Sequence, residues 1–376
     1  MSLGNYKEST PSTYAVLAEQ LRRSIHEGDY RPGQLFGSEH ELARRQGISR
    51  VTVRRASELL VDEGLLERRP GKGLYIRAPH AQTKLVHVIT ANLHWYPPRK
   101  MVQGIQEIAT GMNIQLGLYD ACSDMENMAR DMALLRQLPS GRGGGAIVTA
   151  LPGSSFNQVL CELAMKRFPL VLVAQRLHEI EASSVISDNH NGGYQAGQAL
   201  LELGHRRIGF IGDLASSSSV RDRLAGLRDA IADAVLPYDR SLEIDLQVEK
   251  DPIGDWSKCA AEGAHALTNR PTPPTAILCS CDGVAISACR VLRQKGLRVP
   301  EDVSVIGYGN DPLTESVVPA LTSVSEPYEQ MGRLAMEVLS RRMDDCYSAV
   351  EHHVLPVELV QRDSVAPPPA DSRCDR

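Results

Sequence analysis

The sequence predicts an α/β protein in two parts: a small helical head ending in a hairpin, then a larger body of alternating strands and helices. Three observations predict it. Residues 10–77 read as three short helices and two short strands, punctuated by glycines. Beyond residue 84, short apolar runs (LVHVIT, IQLGLY, GAIVTA, LVLVA) alternate with longer segments at helical period, as buried parallel strands with crossover helices do. The alternation restarts after residue 188, which implies two doubly wound lobes and a ligand cleft between them.

A chain of 376 residues is too long for one ordinary core. Its composition, 42% hydrophobic and 23% charged, is that of a soluble globular protein. No apolar run reaches the ~18 residues of a membrane helix, so no membrane association is expected. The first residues, MSLGNYKESTPSTY, lack a secretory apolar stretch, and a cytoplasmic location is expected. Eight cysteines, at 122, 161, 259, 279, 281, 289, 346 and 374, form no CxxC pair and have no histidine at zinc spacing. Reduced buried thiols, no metal site and no cofactor are the expectation.

The net charge of −5 hides an asymmetry. Residues 1–80 carry 13 Lys and Arg against 10 Asp and Glu, and the rest carries 28 against 36. Within 44–77 the balance is 9 against 4. A basic patch on a small head above an acidic body suits a polyanion-binding module.

In the head, Leu17, Leu21 and Ile25 repeat every four residues in a helix over 13–27 that Gly28 ends. DYRPGQLFG is rich in turn residues and reads as a connection. Ser38 and Glu41 form an S-x-x-E capping box that opens a second helix, which Gly47 closes. Only Ile48 then separates that glycine from Ser49, the cap of a third helix. Val53, Ala56 and Leu60 share one face of this third helix, and Arg50, Arg54 and Arg55 lie roughly opposite. Gly64 stands where a left-handed C-cap would. Two helices joined by so tight a turn are a helix-turn-helix. Residues 65–69 and 74–77 read as strands around a Pro70-Gly71-Lys72-Gly73 tip, a wing.

PGQLFGSEHELARRQGISRVTVRRASELLVDEGLLERRPGKGLYIR resembles the winged helix-turn-helix of the GntR family of bacterial regulators. The resemblance implies that Arg50 and Arg54 reach base edges or nearby phosphates, a task suited to the guanidinium fork. It implies that Ser49 and Thr52 hold phosphates at the helix N-terminus, although Thr52 serves equally as a cap or packing residue. Gly71 and Lys72 would meet the groove or backbone, unless the glycine serves only the turn. His40 stands where the family usually has a DNA-contacting arginine, and Phe36-Gly37 replaces its usual proline turn.

Residues 78–84 contain a proline and no periodicity, and read as a linker. In the body, helices are expected over 101–109 and 125–138, then over 220–233, 257–268 and 283–295. Strands are expected at RIGFIG, 242–248, AILCS and VSVIGY. A helix over 328–343 and a strand over 353–360 follow. The Pro-rich segment 363–376 is expected to be disordered. The domains are therefore 10–77, linker 78–84, and 85–362. The lobes of the last are 85–187 with C-terminal strands, and 188–315.

ISDNHNGGYQAGQALLELGHRRIGFIGD, VRDRLAGLRDAI and SCDGVAISACRVLRQKGLRVPEDVSVIGYGND resemble the effector domain of the LacI/GalR repressors, itself similar to periplasmic sugar-binding proteins. The resemblance implies that Arg223 binds ligand hydroxyls and that Trp256 packs on the ligand's apolar face. Trp95 and Tyr96 follow the first strand of the body and would face the cleft. Arg176 would either reach the cleft or form a surface ion pair. Asp188 and Asp282 match family positions, with a helix cap as the other role for Asp282. Cys281 and Gly309 depart from a ligand-binding asparagine and aspartate, and Asn310 beside the glycine is polar.

No G-x-S-x-G, P-loop, HExxH or Rossmann glycine motif is present. His94, His190, His205, His352 and His353 have no nucleophile or ligand spacing beside them. A regulator is expected rather than an enzyme or a solute receptor. Its partners would be double-stranded operator DNA, a sugar-like effector and a second copy of the chain. Repression relieved by a sugar is the resemblance's implication. Corepression, or activation by a non-sugar small molecule, uses the same parts.

Overall fold

The computed structural model describes residues 13–26, 29–31, 33–70, 72–76, 84–122, 124–137, 144–149, 156–177, 180–215, 217–246 and 256–370. The chain divides into two compact units between residues 83 and 84.

The first unit holds α1 (Thr13–His26), β1 (Leu35–Gly37), α2 (Glu39–Gln46), α3 (Arg50–Asp62), β2 (Leu66–Arg69) and β3 (Gly73–Ile76). Leu17, Leu21, Leu42, Val53, Ala56 and Leu60 converge in its core. The apolar stripes read from the sequence are the faces that pack. β2 and β3 form the antiparallel wing, and β1 adds a third strand along β3. β1 falls where the sequence suggested only a turn-rich connection. Three residues are too few to show a period, and only pairing to Leu74 and Tyr75 makes them a strand.

The second unit holds two sheets. The first lobe contains β4 (Leu85–Thr90), α4 (Tyr96–Gly111), β5 (Gln115–Asp120), α5 (Met125–Gln137), β6 (Gly145–Thr149), α6 (Asn157–Met165), β7 (Leu170–Val173) and β8 (Ser183–Ser187). The second contains α7 (Asn189–Glu202), β9 (Ile208–Gly212), α8 (Ser218–Asp233), β10 (Glu243–Asp245), α9 (Trp256–Thr268), β11 (Ala276–Cys279), α10 (Asp282–Gln294), β12 (Ser304–Gly309), α11 (Leu313–Ser316) and β13 (Thr322–Ser325). The chain then returns through α12 (Tyr328–Asp344) and ends in β14 (His352–Leu355) and β15 (Glu358–Val360). The sheet orders are β14-β8-β7-β6-β4-β5, all parallel, and β10-β9-β11-β12-β13-β15, with only β15 antiparallel.

Strands covered on both faces explain the unbroken apolar runs. Ile147, Val171 and Val173 feed one core with α4 and α12, while Val148, Leu170 and Leu172 feed the other with α5 and α6. Ile277 and Val305 point to α9 and α10, and Leu278 and Ile306 to α7 and α8.

Two expectations are corrected. The single strand over 353–360 is two strands in different sheets, because Pro356, without an N–H for a ladder, lies where the chain crosses between lobes. The C-terminal segment is not disordered over 363–370. Ser364 is fully buried, donates to the Val305 carbonyl at 2.6 Å and accepts from the Thr322 N–H at 2.9 Å. Composition marks proline-rich chain as unable to form a core of its own, but not as unable to dock on one. Residues 371–376 lie outside the described residues.

Candidate DNA-reading face and effector cleft

In the head, each cap forms as its residue types require. The Ser38 hydroxyl accepts from the Glu41 N–H, and the Glu41 carboxylate accepts from the Ser38 N–H at 2.8 Å. Donation from the Ser38 N–H and hydroxyl holds the Glu41 carboxyl below its ordinary range. Gly47 closes α2 in the left-handed region at φ 67°. Ser49 then caps α3, accepting from the Thr52 N–H at 3.2 Å, and its hydroxyl lies 2.8 Å from that of Thr52. Thr52 therefore completes the cap.

Val53, Ala56 and Leu60 are buried, while Arg50 and Arg54 are exposed on the other side of α3. Arg54 carries an exposed ion pair to Glu58 at 3.0 Å, the kind that yields readily to a better partner. His40, Arg50, Arg68, Arg69 and Gly73 line one concavity between the starts of α2 and α3 and the wing. Arg68 is paired with Glu39 at 2.7 Å, and Arg69 stacks on Tyr75 at 4.3 Å. Lys72 is exposed at the wing tip; Gly71 lies outside the described residues. A concave, basic surface flanked by the N-terminus of α3 is shaped for a phosphate backbone.

In the second unit, several expected effector residues fall just beyond the carboxyl ends of strands, where doubly wound sheets bind ligands. Trp95 and Tyr96 follow β4, and Arg176 follows β7. Trp95 is 39% exposed, and Tyr96 and Arg176 are half-buried. Trp256 begins α9, and its side chain lies outside what the structure describes. Cys281 is the residue before α10, and burial pushes its thiol up, so it stays protonated.

Arg223 is the most constrained of them. Its Nε donates to Asn189 at 2.8 Å, Nη1 to the Ser280 carbonyl at 2.6 Å and Nη2 to Glu326 at 3.0 Å. The guanidinium also lies 3.6 Å from the centre of the Tyr308 ring. Its backbone is fixed by a close helix crossing. A Cβ on Gly193 would fall 1.9 Å from the Arg223 carbonyl oxygen, so only glycine lets α7 and α8 approach this far.

Sequence reasoning missed Glu326, which lies between β13 and α12 on one connection between the lobes. Its carboxylate accepts from Ser187 at the end of β8, from the Tyr328 hydroxyl at 2.6 Å and from Arg223. Tyr328 meets the Tyr96 ring edge-on at 6.0 Å. Tyr96 of the first lobe and Arg223 of the second are thus joined through Tyr328 and Glu326. A lone glutamate before a proline carries no periodic or motif signal. A further bond joins the lobes directly, from the Ser219 hydroxyl to the Ala174 carbonyl at 2.9 Å.

Three expected residues have other work in this arrangement. Asp282 accepts from the Ser323 hydroxyl at 2.6 Å and the Asp311 N–H at 2.7 Å, and burial pushes its pKa up to about 6. Asn310 accepts from Arg362 at 2.8 Å and donates to Ser325. Both bond groups at the ends of β12 and β13. Asp188 caps α7, accepting from the Asn191 N–H at 3.1 Å.

A winged helix-turn-helix unit followed by a two-lobed α/β ligand-binding domain defines a ligand-responsive DNA-binding regulator. Residues 13–76 match the family "Bacterial regulatory proteins, gntR family", and residues 198–365 match the "Periplasmic binding protein-like domain". The arabinose metabolism transcriptional repressor of Geobacillus stearothermophilus is 27% identical over 347 residues, covering 90% of this chain and 93% of that one. The repressor PurR of Photobacterium profundum is 30% identical, over 71% of this chain and 76% of its own length. A LacI family regulator from Enterococcus faecium, solved with bound ribose, superposes with a TM-score of 0.63 at 26% identity, covering 76% of this chain and 99% of that structure. The chain belongs to the bacterial transcriptional repressors with a LacI-type effector domain, and it carries a GntR-type head. No helix among the described residues is long and apolar enough to cross a membrane.

Proposed function

We propose that this chain is a cytoplasmic, non-enzymatic repressor that binds operator DNA as a homodimer and responds to a sugar held between its two lobes. The observation that carries the reading is the connection Tyr96–Tyr328–Glu326–Arg223, which ties candidate ligand contacts on both lobes to the segments joining them. A ligand there changes the relative stability of lobe arrangements, which is how an effector acts at a distance. The sugar assignment is supported by the arabinose-repressor relative and the ribose-bound neighbour.

On the DNA side, Arg50 and Arg54 read bases or adjacent phosphates, with His40, Ser49, Thr52 and the Gly71-Lys72 tip on the backbone. On the effector side, Trp95, Tyr96, Arg176, Arg223, Trp256 and Cys281 form the contact set. Two heads about one helical turn (~34 Å) apart would read a palindrome. Fluorescence anisotropy with the DNA upstream of the chain's own gene tests this, with and without pentoses and hexoses. Saturable specific binding weakened by one sugar supports the reading. Binding indifferent to sequence, or to every sugar, overturns it.

A further inference from the structure

We infer that Glu326 is a specificity determinant of the effector cleft: by acting as an internal counter-ion to Arg223, it restricts the group an effector presents there to an uncharged one. The inference rests on the reading of Arg223 as an effector contact.

An arginine at the end of a ligand cleft ordinarily attracts carboxylates and phosphates through its bidentate fork. Here that capacity is already used. Nη2 is bonded to the Glu326 carboxylate, while Nε and Nη1 are bonded to Asn189 and a carbonyl. The Glu326 side chain is only 4% exposed, so solvent screens it little. Three elements hold it in place: Ser187 at the end of β8, Tyr328 on α12 and Arg223 on α8.

The neighbouring charges reinforce the exclusion. Buried Asp282 lies close enough to feel Glu326, and both Glu326 and Asp188 act on the Tyr308 ring beneath Arg223. The guanidinium thus has one acidic partner in contact, Glu326, with Asp282 and Asp188 close to that partner and to the ring. An anion arriving at Arg223 would meet like charge that cannot move away, whereas a hydroxyl accepts from its remaining N–H groups without displacing Glu326. Arg176 lies on the first lobe, two residues beyond the Ala174–Ser219 contact, and the restriction does not extend to it.

The test compares three full-length proteins: wild type, Glu326→Gln, and Arg223→Gln/Glu326→Gln. Thermal midpoints are followed against inorganic phosphate at fixed ionic strength. General salting effects of phosphate are common to all three and cancel. Glu326→Gln keeps the shape of the side chain and frees the Arg223 charge, so phosphate should stabilise it with about tenfold tighter apparent binding than the other two. Wild type and the double variant should respond alike. A Glu326→Gln protein with no gain overturns the inference. If that variant does not fold, the comparison of wild type with the double variant decides. Equal responses support the inference, and a stronger wild-type response, which means that Arg223 already takes anions, overturns it. Because phosphate replaces the unidentified sugar, a failed sugar screen with DNA leaves this result standing.

Discussion

Arg223 and Glu326, 103 residues apart, form a buried ion pair at 3.0 Å where the second lobe meets the segments that join the lobes. The two residues sit on different parts of the chain, and each also bonds neutral partners: Arg223 to Asn189 and the Ser280 carbonyl, Glu326 to Ser187 and Tyr328. A pair so enclosed contributes less to net stability than to fixing one geometry, because both charges lose their hydration. Removing one partner is another matter. Arg223→Ala leaves the Glu326 carboxylate buried without its counter-ion and should destabilise the second unit by about 3 kcal/mol. Urea unfolding of the full chain reads this directly. Arg223→Lys keeps the charge but not the planar fork, so it should retain more stability while still losing effector response. A loss below about 0.5 kcal/mol for the alanine variant would mean that the pair is solvated.

The position of Arg223 depends on Gly193 as much as on its own bonds. A methyl group at residue 193 would stand 1.9 Å from the Arg223 carbonyl oxygen, so the two helices must separate. Gly193→Ala should therefore cost about 3 kcal/mol and weaken the effector response, although it touches no ligand. Gly111→Ala, at the end of α4 with nothing within 4 Å, should be neutral or slightly stabilising. Equal thermal midpoints for the two variants would rule out the close crossing.

Legibility in the sequence followed the range of the interactions. Ser38, Glu41, Gly47 and Ser49 act within one helical turn, so the helix-turn-helix could be read from spacing alone. The buried strands were legible because double-sided burial writes an unbroken apolar run. β1 was not, because its partners Leu74 and Tyr75 lie about forty residues away and its own three residues show no pattern. Glu326 was hidden for the same reason, with partners at 187 and 223 that only the folded topology brings together. Asp282 was legible as a residue near the cleft. That its acceptors face Ser323 and Asp311 depends on the pairing of β12 with β13.

The burial of Asp282 predicts a pH dependence with a definite sign. Its folded pKa, about 6, lies above the ordinary value of 3.8. Between those values the native state holds the proton and the unfolded state has released it. Stability from this group therefore rises as pH falls from 7 towards 4, by an amount on the order of 2 kcal/mol. Other carboxylates oppose the trend, among them Glu351, held down to about 2 by Arg341 and His353. The measurement is thus the difference in unfolding free energy between wild type and Asp282→Asn across that range. A difference that does not change with pH would show that Asp282 is not protonated near pH 6.

On the head, Arg54→Ala should weaken specific operator binding by about 1–3 kcal/mol, the worth of one bidentate base contact. The folded head should hardly notice, since the Arg54–Glu58 pair is exposed on both sides. Lys72→Ala should act differently. An exposed cation at the wing tip that neutralises one phosphate should reduce affinity for all sequences alike and flatten the salt dependence by about one unit of slope. Anisotropy titrations at several salt concentrations, on specific and scrambled duplexes, separate the two. A sequence-independent loss for Arg54→Ala would move that residue from base reading to the backbone.

The docked C-terminal segment carries stability that its composition conceals. Ser364 substitutes for a strand neighbour: its hydroxyl donates to the Val305 carbonyl and accepts from the Thr322 N–H, joining β12 to the start of β13. One residue pair further along, the Ala366 carbonyl lies 2.9 Å from Nε2 of His205, whose other nitrogen meets Thr275 at 2.8 Å. Burial lowers the His205 pKa, so the ring is neutral at pH 7 and must donate from Nε2 to reach that carbonyl. Ser364→Ala leaves a buried N–H and a buried carbonyl each short of a partner, which should cost about 1–3 kcal/mol. Ending the chain after Asp363 should cost more, because it also removes the Ala366 contacts to His205 and Ser304. Both changes lie in the second unit, so DNA affinity measured well below the melting temperature should hold. Truncation without any loss of thermal midpoint would show that the segment does not pack as described.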